Sequence, residues 1–260
     1  HGDFGLDLAF LAAEMQNLNT TSGSPFFTHV ASDTAIMGHS MGGGASFLGA
    51  ADSTIATALS NFSAAETNPS AISAAAGIDL PTLMFTGTED CVTPPEDHQI
   101  PMYDALISDC KTLVTITGGS HCQFASNNGT CRIGEVFAGC SATIPLETQE
   151  TITLGLLQSW LDYVLRGNIS SWTTFQTILD AGVTAGTLTY IQDCVIEPTP
   201  TPTTECFNTG DATLDGTLTA GDAQLIFNIV LGTYTPTFDE ACAADCNGDG
   251  EITAGDAQET

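Results

Sequence analysis

Thr34-Ala35-Ile36-Met37-Gly38-His39-Ser40-Met41-Gly42-Gly43-Gly44 reads as a short apolar strand running into a Gly-x-Ser-x-Gly turn and then a helix of small residues. That is the pattern of a nucleophile elbow, which holds a serine in a strained backbone conformation with its hydroxyl exposed. Gly38 and Gly42 are expected to remove Cβ atoms that would strike the adjoining strand and helix. The bare pattern also fits a glycine-rich turn without chemistry, so the rest of the chain must decide.

An elbow of this kind needs an acid and then a histidine downstream, each in a loop that follows a strand. Pro81-Thr82-Leu83-Met84-Phe85-Thr86 is a strand-like run that empties into Gly87-Thr88-Glu89-Asp90-Cys91-Val92-Thr93-Pro94-Pro95, where the prolines stop further pairing. Asp90 is the favoured acid, with Glu89 as its competitor. Thr112-Leu113-Val114-Thr115-Ile116-Thr117 reads as a second strand, and it ends in Gly118-Gly119-Ser120-His121. His121 is the favoured base. His1, His29, His39 and His98 read as structural or solvent-facing. The amide of Met41, directly after the serine, is the expected oxyanion donor.

These stretches, with His98-Gln99-Ile100-Pro101-Met102-Tyr103-Asp104-Ala105-Leu106, resemble the bacterial cutinase and polyester hydrolase family, within the dienelactone-hydrolase-like group of α/β-hydrolases. The resemblance covers roughly residues 1 to 166. It implies Ser40 as nucleophile, Asp90 as acid, His121 as base and a carboxylic ester as substrate. Chlorophyllase-like and platelet-activating-factor acetylhydrolase-like lipid esterases would use the same triad. The chain departs from the family in carrying Cys91 and Cys122 beside Asp90 and His121, and in showing no identifiable aromatic cleft residues. The nucleophile also arrives early: one amphipathic helix (Leu6, Leu8, Phe10, Leu11, Met15, Leu18) and one strand precede it. We therefore expect an α/β-hydrolase sheet whose N-terminal strands, with the second oxyanion amide, lie outside this sequence.

The net charge of -28, with only Lys111, Arg132 and Arg166 as strong bases, leaves no basic surface to neutralise phosphates and argues against nucleic-acid binding. No apolar run approaches the roughly 18 residues that span a bilayer. Nine cysteines without a Cys-x-x-Cys pair suit disulfides in an oxidising compartment, hence a secreted or cell-surface protein. Cys131 with Cys140 and Cys91 with Cys110 are candidate local bridges, and the spacing leaves connectivity open.

Gly167 to Cys194 reads as a short helix and a strand that close the main domain. Glu197-Pro198-Thr199-Pro200-Thr201-Pro202-Thr203-Thr204 is a stiff Pro-Thr linker. The expected domains are 1–195, a linker at 196–205 and a small all-α module at 206–260. In that module a 12-residue loop starting at Asp211 recurs 34 residues later at Asp245. The first offers Asp211, Thr213, Asp215, Thr217 and Asp222, and the second Asp245, Asn247, Asp249, Glu251 and Asp256. Oxygen donors at positions 1, 3, 5 and 12 with a glycine at 6 suit Ca²⁺, which takes six to eight hard oxygens; position 7 gives its backbone carbonyl. Two calcium sites are expected. Aspartate at position 12 makes the pair resemble a dockerin module, which implies a cohesin-type partner. A non-catalytic calcium-dependent surface or adhesion protein is the reading from another class; the complete Ser, Asp, His set argues against it.

Overall fold

Short apolar runs flanked by Gly, Pro, Asp and Ser form the strands of a sheet, and the longer segments between them form helices that cover it. The computed structural model describes residues 1–125, 129–194, 209–247 and 251–259. It divides into two units, His1–Ile196 and Glu197–Thr260. The Pro-Thr linker lies outside the described residues.

The first unit runs α1 (Gly2–Thr20), β1 (Ala35–His39), α2 (Met41–Asp52), β2 (Ala58–Phe62), α3 (Ala71–Ala75), β3 (Thr82–Gly87), α4 (Gln99–Ala105), β4 (Cys110–Ile116), a 3₁₀ turn (His121–Phe124), α5 (Gly129–Ala138), α6 (Leu146–Arg166), α7 (Ile169–Ala185) and β5 (Leu188–Cys194). The strands lie in the order β1-β2-β3-β4-β5. The three neighbouring pairs from β1 to β4 are parallel, and β5 closes the sheet antiparallel to β4. One face packs Phe47, Leu59, Met84, Met102 and Leu113 beneath α2, α3 and α4; the other packs Phe85, Val114, Leu156, Trp160 and Phe175 beneath α6 and α7. A mostly parallel sheet with helices on both faces and its central strands buried is an α/β architecture, as expected from the sequence.

Several local expectations are corrected. Strand β2 (Ala-Leu-Ser-Asn-Phe) is too short and too polar to stand out, yet it is fully buried over four of its five residues. Helix α7 is 17 residues long rather than short, ended by Gly186 at φ +68. Phe4, Leu6, Phe10 and Leu11 of α1 point outward, and the packed face is made by Gly5 and Ala12. A Cβ on Gly5 would meet Leu48 Cβ at 2.7 Å, so α1 reaches α2 only because the contact residue is a glycine.

Three disulfides join Cys91 to Cys140, Cys110 to Cys194 and Cys122 to Cys131. They replace the local bridges Cys131–Cys140 and Cys91–Cys110 expected from proximity in sequence. The reason is register: Cys110 stands directly opposite Cys194 on the β4–β5 ladder. Cys131, in the first turn of α5, and Cys140, two residues past its end, instead staple that segment to the residues that follow His121 and Asp90.

The second unit contains α8 (Ala220–Val230), α9 (Phe238–Ala244) and α10 (Asp256–Glu259) around a small core of Ala212, Ile226, Ala244 and Ala257. Cys242 is disulfide-bonded.

Candidate active site

Strand β1 delivers the chain into a turn that a plain strand-to-helix junction would not tolerate. Ser40 sits at φ 56, ψ -124, between His39 at the end of β1 and Met41 at the start of α2. The conformation is held from outside: the Ser40 amide donates to Phe62 O at 3.0 Å, and its carbonyl accepts from the amides of Gly44 (3.1 Å) and Ala65 (2.9 Å). A non-glycine residue at positive φ costs of order 1–3 kcal/mol and persists where its surroundings over-determine it. The glycines divide differently from the sequence reading. A Cβ on Gly38 would lie 2.1 Å from Gly42 O, as expected, whereas one on Gly42 meets nothing within 4 Å. The required small residues on the helix are Gly43 and Gly44, whose Cβ atoms would lie 2.7 Å from Ala64 Cα and 2.2 Å from Ala65 O. Close approach of α2 to the loop after β2 sets that demand.

The loops after β3 and β4 bring two more side chains to the serine. His121 Nε2 lies 2.8 Å from Ser40 Oγ, and its Nδ1 lies 3.1 Å from Asp90 Oδ2. His121 and Asp90 are almost fully buried, at 2% and 4% exposure. Burial pushes the Asp90 carboxyl up, but the hydrogen bond and charge of His121 and the amide of Thr93 outweigh it, leaving its pKa below the ordinary aspartate value. Glu89, half-buried in the same loop, accepts instead from the Thr88 hydroxyl at 3.2 Å. The Met41 amide is the first of α2, at the helix N-terminus. Cys122 is disulfide-bonded and has no thiol to offer as a nucleophile.

Around these residues stand groups the sequence reading missed. The Gln149 side chain, wholly buried on α6, accepts from Ser120 N and donates to Ser120 O, both at 2.9 Å, clamping the residue before His121. Glu135, the one buried residue of α5, accepts from Cys122 N at 2.8 Å and so fixes the residue after it. His39 donates its Nε2 proton to His121 O at 3.0 Å, and its ring packs 4.7 Å from the His121 ring. Burial and the neighbouring His121 keep the pKa of His39 below the usual histidine value. Thr93 places its hydroxyl 3.0 Å from both Asp90 Oδ2 and His121 Nδ1. Beside the site Phe62, Phe124, Leu154 and Leu157, together with Gln123, Glu150 and Thr153, line a mainly apolar hollow of about 250 Å³. Only Thr93 carried a local signal: an Asp with Thr three residues on is a side-chain-to-backbone turn pattern. Gln149 and Glu135 arrive from elsewhere in the chain.

In the second unit the acidic loops fold their carboxylates inward. Asp211 accepts from the amides of Asp215 (3.2 Å) and Gly216 (2.8 Å), and Asp215 accepts from Thr217 N at 2.9 Å. Gly216, at position 6, has φ +85, which explains the glycine there. Asp222 is fully buried, and it accepts from the amides and hydroxyls of Thr213 and Thr219. Burial pushes it up, yet those bonds hold its pKa at about 2. Asp256 repeats the arrangement, accepting from Cys246 N at 3.1 Å and Thr253 N at 2.8 Å. Asp245 is also buried. Asn247 and Glu251 lie in the same loop, and Asp249 lies outside the described residues. Among the described residues no group of three His, Cys, Asp or Glu side chains is gathered closely enough to hold a metal ion.

The profile of the PET hydrolase-like family matches residues 8–139, an interval that holds the elbow, the acid loop and the histidine loop. The chain belongs to the PET hydrolase-like family. A second profile, the dockerin type I domain, matches residues 209–259, the segment with both acidic loops. No curated protein matches the chain. This PET hydrolase-like protein thus joins an ester-hydrolase domain to a docking module. Dockerin type I domains bind calcium, are typically extracellular or attached to a cell surface, and imply a cohesin partner. Among the described residues no helix is long and apolar enough to cross a membrane.

Proposed function

We propose that this protein is a secreted serine carboxylic-ester hydrolase acting through Ser40, His121 and Asp90. His121 takes the Ser40 proton as the oxygen attacks the ester carbonyl, while Asp90 holds the imidazole in the tautomer with its proton on Nδ1 and stabilises the imidazolium. The Met41 amide donates to the oxyanion. His121 then protonates the leaving alcohol, and an activated water releases the acid. The observation that carries this reading is His121 reaching Ser40 at 2.8 Å and Asp90 at 3.1 Å from its two ring nitrogens. The apolar hollow beside Phe62 and Phe124 favours an ester with an apolar acyl or alcohol group, whether a small ester, a lipid or a polyester. Fluorophosphonate labelling followed by peptide mapping tests the assignment; modification at a serine other than Ser40 refutes it.

We further infer that the dockerin domain binds two calcium ions. Its donor set is all hard oxygen, and the position-1 carboxylate of the first loop and the position-12 carboxylates of both loops accept from backbone amides of their own loops, which fits calcium. Asp211, Thr213, Asp215 and Asp222 with the carbonyl of Thr217 would hold one ion. Asp245, Asn247, Asp249 and Asp256 with the carbonyl of Glu251 would hold the other. Calcium there would offset repulsion between the carboxylates and so favour the folded loops. Calorimetry with Ca²⁺ checks the stoichiometry.

A further inference from the structure

The proton count around His121 leaves a role open. If Ser40 donates to Nε2, the proton of the neutral ring sits on Nδ1, and that N–H faces two acceptors: Asp90 Oδ2 at 3.1 Å and Thr93 Oγ1 at 3.0 Å. The Thr93 hydroxyl has a single proton. Its candidate acceptors are Asp90 Oδ2 at 3.0 Å and Ser63 O at 3.3 Å, so the carboxylate is the nearer. The Thr93 amide also donates to Asp90 Oδ1 at 2.9 Å, beside that of Val92 at 3.0 Å. One residue therefore grips both oxygens of the carboxylate while turning a lone pair of its hydroxyl toward the imidazole. Thr93 is 3% exposed, which removes water as a substitute for that hydroxyl.

We propose that Thr93 is a positioning residue for His121: its hydroxyl closes a triangle with Asp90 Oδ2 and His121 Nδ1 that fixes the carboxylate plane and the imidazole tilt. The proposal rests on the triad reading above. Without the hydroxyl, Oδ2 loses a donor, and rotation of the carboxylate is restrained by the two amides on Oδ1 and by His121 Nδ1–H, the group that is to be positioned. The β-branched side chain suits the task because its χ1 is restricted. The bond geometry matters to rate because small misplacements of a catalytic group are costly.

The test compares Thr93→Val, close in shape but lacking the hydroxyl, with Thr93→Ser, which keeps it, in the whole protein. In Thr93→Val, kcat on a soluble ester and the rate of fluorophosphonate labelling should fall by roughly 10- to 100-fold with KM within about twofold. The proton resonance of His121 Nδ1–H should shift. Thr93→Ser should stay within about threefold of the wild type and keep the resonance. If Thr93→Val does not fold, Thr93→Ala is judged against Thr93→Ser by the same criteria. Wild-type rates without the hydroxyl, or a serine variant as slow as the valine one, would overturn the proposal. Turnover persisting in Ser40→Ala would instead overturn the triad reading, so the two failures are separable.

Discussion

The two acidic regions of this chain are held by opposite means. At the candidate active site Asp90 meets a histidine 31 residues away, which in turn meets a serine 81 residues from it. In the dockerin domain Asp222 meets Thr213 nine residues back and Thr219 three residues back. The first carboxylate depends on the register of β1, β3 and β4 and on helices packed behind their loops. The second depends on one turn and one helix start. A site assembled over long range can be stiff before any ligand arrives, since the central strands of the sheet beneath it are buried. A site assembled locally, over a core as small as that of the second unit, draws its stability from what it binds.

Variants should break this contrast in graded fashion. The largest effect is expected at the long-range site: Ser40→Ala should lower ester turnover by roughly 10⁴-fold or more, and Asp90→Asn by about 10⁴-fold. Glu89→Gln, in the same loop but bonded to Thr88, should leave steady-state rates within about twofold. Equal activities in the two acid-loop variants would remove Asp90 from its role.

Chelation should then separate the regions. Removing calcium should reduce helical circular dichroism through the dockerin domain while ester turnover changes little. A parallel loss of both would mean that the hydrolase unit depends on the metal.

A smaller effect belongs to the bridge across the sheet. Cys110→Ala with Cys194→Ala opens a loop of sequence separation 84 and should lower unfolding free energy by about 2–4 kcal/mol in denaturant titrations, with the triad geometry retained. Opening this bridge without cost would show that the β4–β5 ladder alone carries that edge.

The smallest expected effect is in acid. The pKa of Asp90 is depressed in the folded protein, so its stabilising contribution is fully present above the ordinary aspartate value of about 3.9 and is lost as pH falls through the depressed value. The difference in melting temperature between wild type and Asp90→Asn should accordingly shrink below about pH 4. A difference independent of pH would mean that the carboxylate charge adds nothing to folding.

Much of the site was legible in the chain because its chemistry is punctuated locally. Gly-x-Ser-x-Gly after an apolar run, an acid before two prolines, and a histidine after two glycines each announce the end of a strand. Strand β2 was not legible, since Ala-Leu-Ser-Asn-Phe becomes a strand only between two buried neighbours. Nor was Gln149, whose role exists only because α6 passes behind Ser120.

The sequence by itself determined the α/β class of the main unit, the order in which Ser40, Asp90 and His121 follow their strands, and the spacing of both acidic loops, because each depends on neighbours within about a dozen residues. Tertiary structure alone decided which cysteines pair, which glycines must lack a Cβ, and which buried side chains hold His121 in line. Those outcomes turn on where separate helices and strands come within a few ångströms of each other. Cys110 has no local reason to choose Cys194, and Gly43 has none to be small, until β5 lies against β4 and α2 lies against Ala64.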